Sequence, residues 1–180
     1  MRPRGAAALG DGWHVGVVTV LPEETRVVLD VLGIVGTRRF RTGRMAVPGG
    51  VTYLVVAPAA EGGGLTAALG GLCARYDPNT VVLVGGAGPV SVSGDREPVS
   101  GAMADFFRAA GEPATLPGYD GGAPFRVVGG PVDTGEVPRF CAGATTRFGK
   151  PLAWAVIRGD TRDAAQTLRY LIPYLRPRIR

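Results

Sequence analysis

The stretch 80–88 of this chain is a run of apolar residues that leads directly into glycines. Its branched residues 81–84 suit a strand buried on both faces, as in a mostly parallel sheet. Gly85, Gly86 and Gly88 follow, and without side chains they let backbone N–H groups approach a ligand closely. In open α/β sheets, ligands bind beyond the carboxyl ends of the strands. We therefore predict a central strand with a candidate ligand site at its end.

Apolar runs of strand and helix type alternate along the rest of the chain. The predicted strands are residues 15–20, 38–45, 51–57, 81–85, 125–128 and 152–157. The predicted helices are residues 22–32, 100–110, 139–148 and 164–175. A further predicted helix begins within residues 62–66 and reaches residue 76. Pro173 is expected to break the last of them, and residues 111–124 are predicted to form a loop. The alternation predicts an α/β protein, a three-layer α/β/α sandwich with a central mixed, mostly parallel twisted sheet.

The length of 180 residues fits one domain, which we assign to residues 13–180 after a flexible leader at residues 1–12. No apolar run approaches the length of a membrane span, so no membrane partner is expected. Polar residues follow the basic start of the leader too early for a signal peptide. Cys73 and Cys141 have no metal-ligand spacing and are predicted to be buried free thiols of a cytoplasmic protein.

The net charge of +5 at pH 7 raises the question of a nucleic-acid surface. The basic residues are spread through the chain, with two small clusters at residues 38–44 and 176–180. A solvated basic face and a basic tail account for such clusters, so we expect no nucleic-acid partner.

Three further segments accompany the glycine-rich strand end. Residues 15–25 hold a strand that leads to glutamates, residues 130–136 read Gly-Pro-Val-Asp-Thr-Gly-Glu, and residues 152–163 hold a strand ending in Ile-Arg-Gly. In this order the four elements resemble the nucleoside phosphorylase/nucleosidase superfamily, and within it the methylthioadenosine/S-adenosylhomocysteine nucleosidase branch. The resemblance implies the fold of that superfamily, a nucleoside as the small-molecule partner, and hydrolysis of the N-glycosidic bond of a purine nucleoside.

Cleavage of this bond requires an acid that protonates the leaving base and a carboxylate that activates the attacking water. The resemblance implies that Glu24 is the water-activating glutamate, counted from Gly16 without a gap. A glutamate is also favoured near a helix N-terminus by the helix dipole alone. As the acid the resemblance implies Asp163, if one residue is inserted, and in second place Asp160. Either aspartate could instead cap the helix that follows.

The resemblance also implies which residues border the substrate. The Gly-Ala-Gly turn after the central strand would face it through the backbone, and the segment 130–136 would border the base. Phe140 stands close to the place of a large apolar or aromatic residue, where this chain has Pro138. The implied substrate-binding residues are Gly86, Ala87, Gly88, Glu136, Phe140 and Arg158. No metal and no organic cofactor are implied.

The chain departs from the family's pattern in two places. Residues 137–151 contain no glutamate, whereas the family carries there a strand that ends in Met-Glu and holds the ribose hydroxyls. Residues 94–96 read Gly-Asp-Arg and lack the proline of the phosphate loop, which favours hydrolysis over phosphorolysis. The first departure keeps an alternative open, a weakened or inactive nucleoside-binding or partner-docking module of the same fold. The resemblance further implies a homodimer or a partner protein.

Overall fold

The computed structural model describes residues 14–60, 63–94, 96–146 and 149–175. Its strands are β1 (Val15–Thr19), β2 (Arg41–Val47), β3 (Gly50–Pro58), β4 (Thr80–Gly85), β5 (Val90–Ser93), β6 (Ala114–Leu116), β7 (Phe125–Gly129) and β8 (Ala153–Arg158). Its α-helices are α1 (Pro22–Leu32), α2 (Leu65–Tyr76), α3 (Val99–Ala110), α4 (Glu136–Ala142) and α5 (Thr161–Leu175), and a 3-10 helix lies at Tyr119–Gly121. None of the helices in these ranges has the length and apolar character needed to cross a bilayer. The predicted leader 1–12 and the basic cluster 176–180 lie outside the described residues.

The strands form one mixed sheet, whose order within the described residues is β2-β3-β1-β4-β8-β5-β7-β6. The neighbours β3, β1, β4 and β8 run parallel, so their carboxyl ends share one edge of the sheet. β5 runs antiparallel to β8, and the outer strands β2 and β6 are antiparallel to their neighbours. α1, α3 and α5 cover one face, and α2 and α4 cover the other. The predicted α/β/α sandwich is confirmed.

Alternation of side chains along β8 divides the core into two clusters. Trp154 and Val156 face the cluster under α2 and α4. Ala155 and Ile157 face the larger cluster under α1, α3 and α5. By the same alternation Arg158 belongs to the face of Trp154 and Val156, and it stands at the carboxyl end of the strand. The last residue of β8 therefore carries a charge to the edge of the sheet where the candidate site is expected.

α1 follows the sequence prediction at both ends. Pro22 occupies its first position, where a missing N–H costs nothing. Gly33 ends the helix in the left-handed conformation, with φ 67°, which a glycine adopts without strain. Val28 and Val31 are buried on the side of the sheet. These local signals set the start of the helix, and with it the height at which Glu24 stands above the strand ends.

Two strands at one side of the sheet depart from the prediction. β5 lies where the sequence predicts no strand, and β6 lies inside the predicted loop 111–124. With four and three residues, neither is long enough to give a periodic signal. Pairing with other strands forms them: β5 bonds to the distant strand β8 and to β7, and β6 bonds to β7, the next strand along the chain. The residue pattern within such short strands does not reveal this pairing.

α4 also differs from its prediction, since it spans Glu136–Ala142 instead of residues 139–148. It begins directly after Gly135, and Val137 and Cys141, one turn apart, are buried in the core. Packing of these two side chains selects the earlier start. Residues 147 and 148 of the predicted helix lie outside the described residues.

The last helix, α5, begins at Thr161 and continues through Pro173 to Leu175, although the proline was expected to break it. A proline in a helix removes one backbone hydrogen bond and crowds the preceding turn. Here Ile172 and Leu175, on either side of it, are buried at 0% and 2% exposure. Burial of these side chains outweighs the cost of the proline, and the helix persists.

Both cysteines are free thiols, as predicted, with Cys141 buried and Cys73 half-buried on α2. Burial, and after it the nearby Asp77 carboxylate, raise the pKa of Cys73 to about 11. Because the thiolate is the reactive form, we expect the folded protein to react with the thiol reagent DTNB at pH 8 at least about tenfold more slowly than free cysteine. Both thiols should react quickly once guanidinium unfolds the chain. Reaction of Cys73 in the folded protein at the rate of free cysteine would contradict this environment.

Candidate active site

Glu24 lies at the carboxyl ends of the central strands. It is the third residue of α1, just beyond β1, and is 8% exposed. Its Oε1 accepts a hydrogen bond of 2.8 Å from the Leu21 N–H, which satisfies the start of the helix. Its Oε2 accepts a second bond of 2.8 Å from the Gly86 N–H, beyond the end of β4. The helix-start role expected of a glutamate here is present, but it uses only one of the two oxygens.

The position of this carboxylate accounts for the glycine that ends β4. A Cβ on Gly85 would overlap Oε2 of Glu24. Gly85 also has φ 142°, a backbone conformation that residues with a side chain rarely adopt. The glycine predicted as a point of close ligand approach therefore makes room for a carboxylate of the protein itself.

The exposed turn after β4 contacts both Glu24 and the segment after β8. The Gly86 N–H binds Glu24, and the Gly88 carbonyl accepts a hydrogen bond of 3.0 Å from the Asp160 N–H. The Gly86 N–H is thus engaged within the protein. Among the described residues Glu24 bonds to neither candidate aspartate directly, and the turn is what joins the two parts of the site.

The two candidate acids lie at the start of α5. Asp160 precedes the helix, and its Oδ2 accepts a hydrogen bond of 3.3 Å from the Asp163 N–H. This is the capping role that the sequence offers as the alternative. Asp163 stands in the first turn, where burial and then the neighbouring Asp160 carboxylate raise its pKa, against the opposing charge of Arg162. A carboxyl group with a raised pKa suits a proton donor.

Arg158 forms an ion pair with Asp133, a residue that the sequence motifs do not single out. Nη2 and Nε of Arg158 donate to Oδ2 at 2.6 and 3.0 Å, and the Gly135 N–H donates to Oδ1 at 2.7 Å. The side chain of Asp133 is 10% exposed and that of Arg158 56%. Burial alone would raise the pKa of Asp133, but the Gly135 hydrogen bond and the Arg158 guanidinium outweigh it and hold that pKa below its usual value. Asp133 is therefore a charged carboxylate in a fixed orientation.

A cavity of about 440 Å³ opens beside this ion pair, next to β5. Its polar lining residues are Ser91, Ser93, Asp133, Thr134 and Arg158. Pro131 and Val132 add an apolar wall. Of the substrate-binding residues predicted from the sequence, Arg158 lines this cavity.

Glu136 and Phe140 make their contacts elsewhere. Oε2 of Glu136 accepts a hydrogen bond of 3.0 Å from the Thr66 hydroxyl on α2. Phe140 is half-buried against the core cluster under α2 and α4. Neither side chain lines the cavity beside Arg158. Their part in substrate binding stays a prediction.

Sequence reasoning omitted Ser91, Ser93 and Asp133 from the candidate site. Asp133 lies within the motif 130–136, but its partner is 25 residues away, so no local signal marks the ion pair. The two serines alternate with valines along β5, a pattern that also describes an ordinary half-buried strand. Only the pairing of β5 with β8 shows that Ser91 lies opposite Arg158 and Ser93 opposite Val156.

A metal centre would need several ligand side chains close together. In the parts of the chain that the structure describes, no group of three or more His, Cys, Asp or Glu side chains is placed to hold a metal ion.

Comparison of the sequence with protein-family models and with curated proteins gives no match. Solved structures do match. Futalosine hydrolase of Helicobacter pylori strain 26695, as a mutant and in native form, aligns at 12% identity with a TM-score of 0.51, over 91% of this chain and 96% or 97% of the other. A 5′-methylthioadenosine/S-adenosylhomocysteine nucleosidase from Helicobacter pylori gives 12% identity and a TM-score of 0.48, over 91% of this chain and 97% of the other.

The chain has the nucleoside phosphorylase/nucleosidase fold. At 12% identity the likeness establishes the arrangement of strands and helices, and chemistry has to be argued from the residues of the site. In this fold, the strand ends that carry Glu24, the glycine turn and Arg158 fall at one edge of the sheet, as the sequence resemblance implies.

Proposed function

We propose that this chain is a purine nucleosidase-like hydrolase that cleaves the N-glycosidic bond of a nucleoside, with methylthioadenosine and S-adenosylhomocysteine as the first candidates. The Glu24 carboxylate carries the proposal. It is buried, it is held by two backbone N–H groups, and it lies at the strand ends where α/β proteins bind ligands. The start of the helix needs only the hydrogen bond to the Leu21 N–H, so the bond to the Gly86 N–H calls for a further explanation.

Glu24 would activate the attacking water. Each carboxylate oxygen has two lone-pair positions, and each uses one for a backbone N–H. The remaining positions can accept a proton from water. Because both oxygens are held, the carboxylate keeps one orientation, which favours proton transfer along a set direction.

Asp163 would protonate the leaving base, with Asp160 as the second candidate. The raised pKa of Asp163 favours the protonated form of this carboxyl group, which is the form that a proton donor requires. Oδ2 of Asp160 is engaged in the cap of α5. The order of the two candidates follows from that difference.

The pH dependence of catalysis tests this assignment. An acid acts in its protonated form, so kcat/KM should fall as the pH rises through the pKa of Asp163. Because the Asp160 charge contributes to raising that pKa, Asp160→Asn should lower it and move the falling limb to lower pH. The measurement is kcat/KM for base release across pH 4–9 for both proteins. An unmoved limb would contradict the assignment, and complete loss of activity would identify Asp160 as the acid.

The function itself is tested by base release from a panel of purine nucleosides, separated by chromatography, with and without phosphate. Free base and free sugar, formed equally well without phosphate, are the products expected of a hydrolase. Release that depends on phosphate would indicate a phosphorylase. Absence of release from every nucleoside by the folded protein would exclude the hydrolase.

A second candidate function is a weakened or inactive nucleoside-binding module of the same fold. It is favoured by the segment that leads into β8: α4 is followed there by turns and an isolated bridge between Thr145 and Pro151, in the residues that the structure describes. Residues 137–151 contain no glutamate to hold ribose hydroxyls. Binding of a nucleoside without release of its base would support this candidate.

The proposal also includes a cytoplasmic location and assembly as a homodimer or with a partner protein. Val20 and Leu21, between β1 and α1, are 45% and 53% exposed, and Leu21 donates to Glu24. Apolar side chains exposed beside a site suit a contact with a second chain. Light scattering of the purified protein measures the assembly directly.

A further inference from the structure

We infer that the cavity beside β5 and β8 binds the sugar of the nucleoside, which presupposes the nucleosidase function proposed above. Asp133 and Arg158 would contact the sugar hydroxyls. They would do so in place of the Met-Glu segment that the chain lacks. Three observations support the inference: the size of the cavity, its hydrogen-bonding groups, and its position relative to Glu24.

The cavity has the size of a small-molecule site. Its volume of about 440 Å³ falls in the range of about 300–1,000 Å³ that such sites occupy. Ser91 and Ser93 of β5 form one wall, and the segment 131–135 forms the other. In such sites a small number of placed polar groups fixes the orientation of the ligand, and here Asp133, Arg158 and the two serines are the groups that could do so.

The hydrogen-bonding groups match a pair of hydroxyls. Among the described residues, Oδ2 of Asp133 accepts two N–H groups of Arg158, whereas Oδ1 accepts the Gly135 N–H alone and can take one more donor. Arg158 has five N–H donors and gives two of them to Asp133 within the described residues. One hydroxyl can therefore donate to Asp133 while its neighbour accepts from Arg158. The hydroxyls of Ser91 and Ser93 can either donate or accept.

The end of β8, whose last residue Arg158 lines the cavity, is adjacent to the strand end that contacts Glu24. Arg158 is paired in register with Gly85, and the neighbouring residue Gly86 donates its N–H to Glu24. Adjacent strands are about 4.8 Å apart, so a single strand spacing separates the backbone of Arg158 from the strand end that holds Glu24.

The competing explanation is that Asp133 and Arg158 form an ion pair that only fixes the segment before α4. Removal of the Asp133 charge would then change stability and leave the recognition of hydroxyls unchanged. The two explanations therefore differ in selectivity for sugar hydroxyls, which a structural ion pair does not influence.

The test is calorimetric binding of 9-deazaadenosine and of its 2′,3′-dideoxy counterpart to the full chain. The carbon–carbon link between base and sugar resists hydrolysis, so binding is measured without turnover. A hydrogen bond to a charged group corresponds to a preference of about 10- to 100-fold for the ligand with hydroxyls. We expect that preference in the wild type, and a preference below about threefold in Asp133→Asn.

Two further variants keep the test decisive. Asp105→Asn removes the acidic partner of Arg108 in an ion pair on α3, neither residue of which lines the cavity, and should keep the full preference. If Asp133→Asn does not fold, the double variant Ser91→Ala/Ser93→Ala replaces it, since it removes hydroxyls from the wall without changing charge. We expect this double variant also to reduce the preference.

The outcomes separate the sugar site from the function. Binding with the preference intact in Asp133→Asn and in the serine double variant would overturn the sugar site and leave the hydrolase proposal standing. If the wild type binds neither of the two nucleosides and also releases no base from any nucleoside, both the sugar site and the hydrolase proposal are overturned. Loss of the preference in these variants, with Asp105→Asn unchanged, supports the site.

Discussion

Glu24→Gln is expected to lower kcat for base release by about 100- to 10,000-fold, the range that a general base contributes. The side chain keeps its size and loses the charge and the basicity. A glutamine can also accept only one of the two backbone hydrogen bonds, because its NH₂ group is a donor. The measurement is kcat and KM for base release at neutral pH, with circular dichroism to check the fold.

The control for this substitution is Glu23→Gln. Glu23 precedes Glu24 in the first turn of the same helix and is exposed to solvent. Both substitutions remove one negative charge near the helix N-terminus, so any effect of the helix dipole is shared. Base release should be nearly normal in Glu23→Gln. Equal rates in the two variants would remove Glu24 from the reaction.

Gly85→Ala is expected to lower stability by about 3 kcal/mol or more, through two effects. A side chain at φ 142° costs about 1–3 kcal/mol in backbone strain. The added methyl group would also displace the Glu24 carboxylate, whose hydrogen bonds are each worth about 1.5–3 kcal/mol. In a domain of this size the loss corresponds to a decrease in Tm of roughly 6–12 °C, measured by thermal unfolding.

Gly70→Ala is the matched control for that prediction. Gly70 lies within α2, and a Cβ there would meet no atom within 4 Å. The same chemical change should therefore stabilise the protein by about 0.5–1 kcal/mol, the usual gain from alanine in a helix. In a Glu24→Ala background the cost of Gly85→Ala should decrease, because no carboxylate remains to be displaced. A Tm of Gly85→Ala within about 2 °C of wild type would contradict the packing of Glu24 against β4.

The part of the fold that local chemistry specifies could be predicted from the sequence. The buried strand β4 is a continuous apolar run, and α1 has a proline at its start and a glycine after its end. β5 and β6 could not be predicted, because they are strands only through pairing with β7 and β8. α4 begins earlier than its apolar pattern indicates, because Val137 packs into the core.

The candidate site also has one part that could be predicted from the sequence and one part that could not. Glu24 could be located from its distance to Gly16 and from the order of four motifs, and the structure places it at the strand ends. The engagement of the Gly86 N–H by Glu24 could not be predicted, since it depends on how α1 sits over β4. Asp133 is placed by a contact between a loop and the end of β8, two segments that share no pattern in the sequence.

The bonds around Glu24 also suggest why the glycines stand together after β4. Gly85 leaves space for the carboxylate, and Gly86 supplies the N–H that orients it. Both residues have positive φ, 142° and 121°, which glycine adopts at little cost. The glycine-rich turn therefore positions a carboxylate of the protein at the strand ends.

The most direct test of the central claim is a time course of free base released from purine nucleosides in phosphate-free buffer, with wild type and Glu24→Gln at equal concentration. The account predicts base and free sugar in equal amounts from the wild type, and release at least about 100-fold slower from the variant. No base from the folded wild type, or the same rate from both proteins, would contradict it.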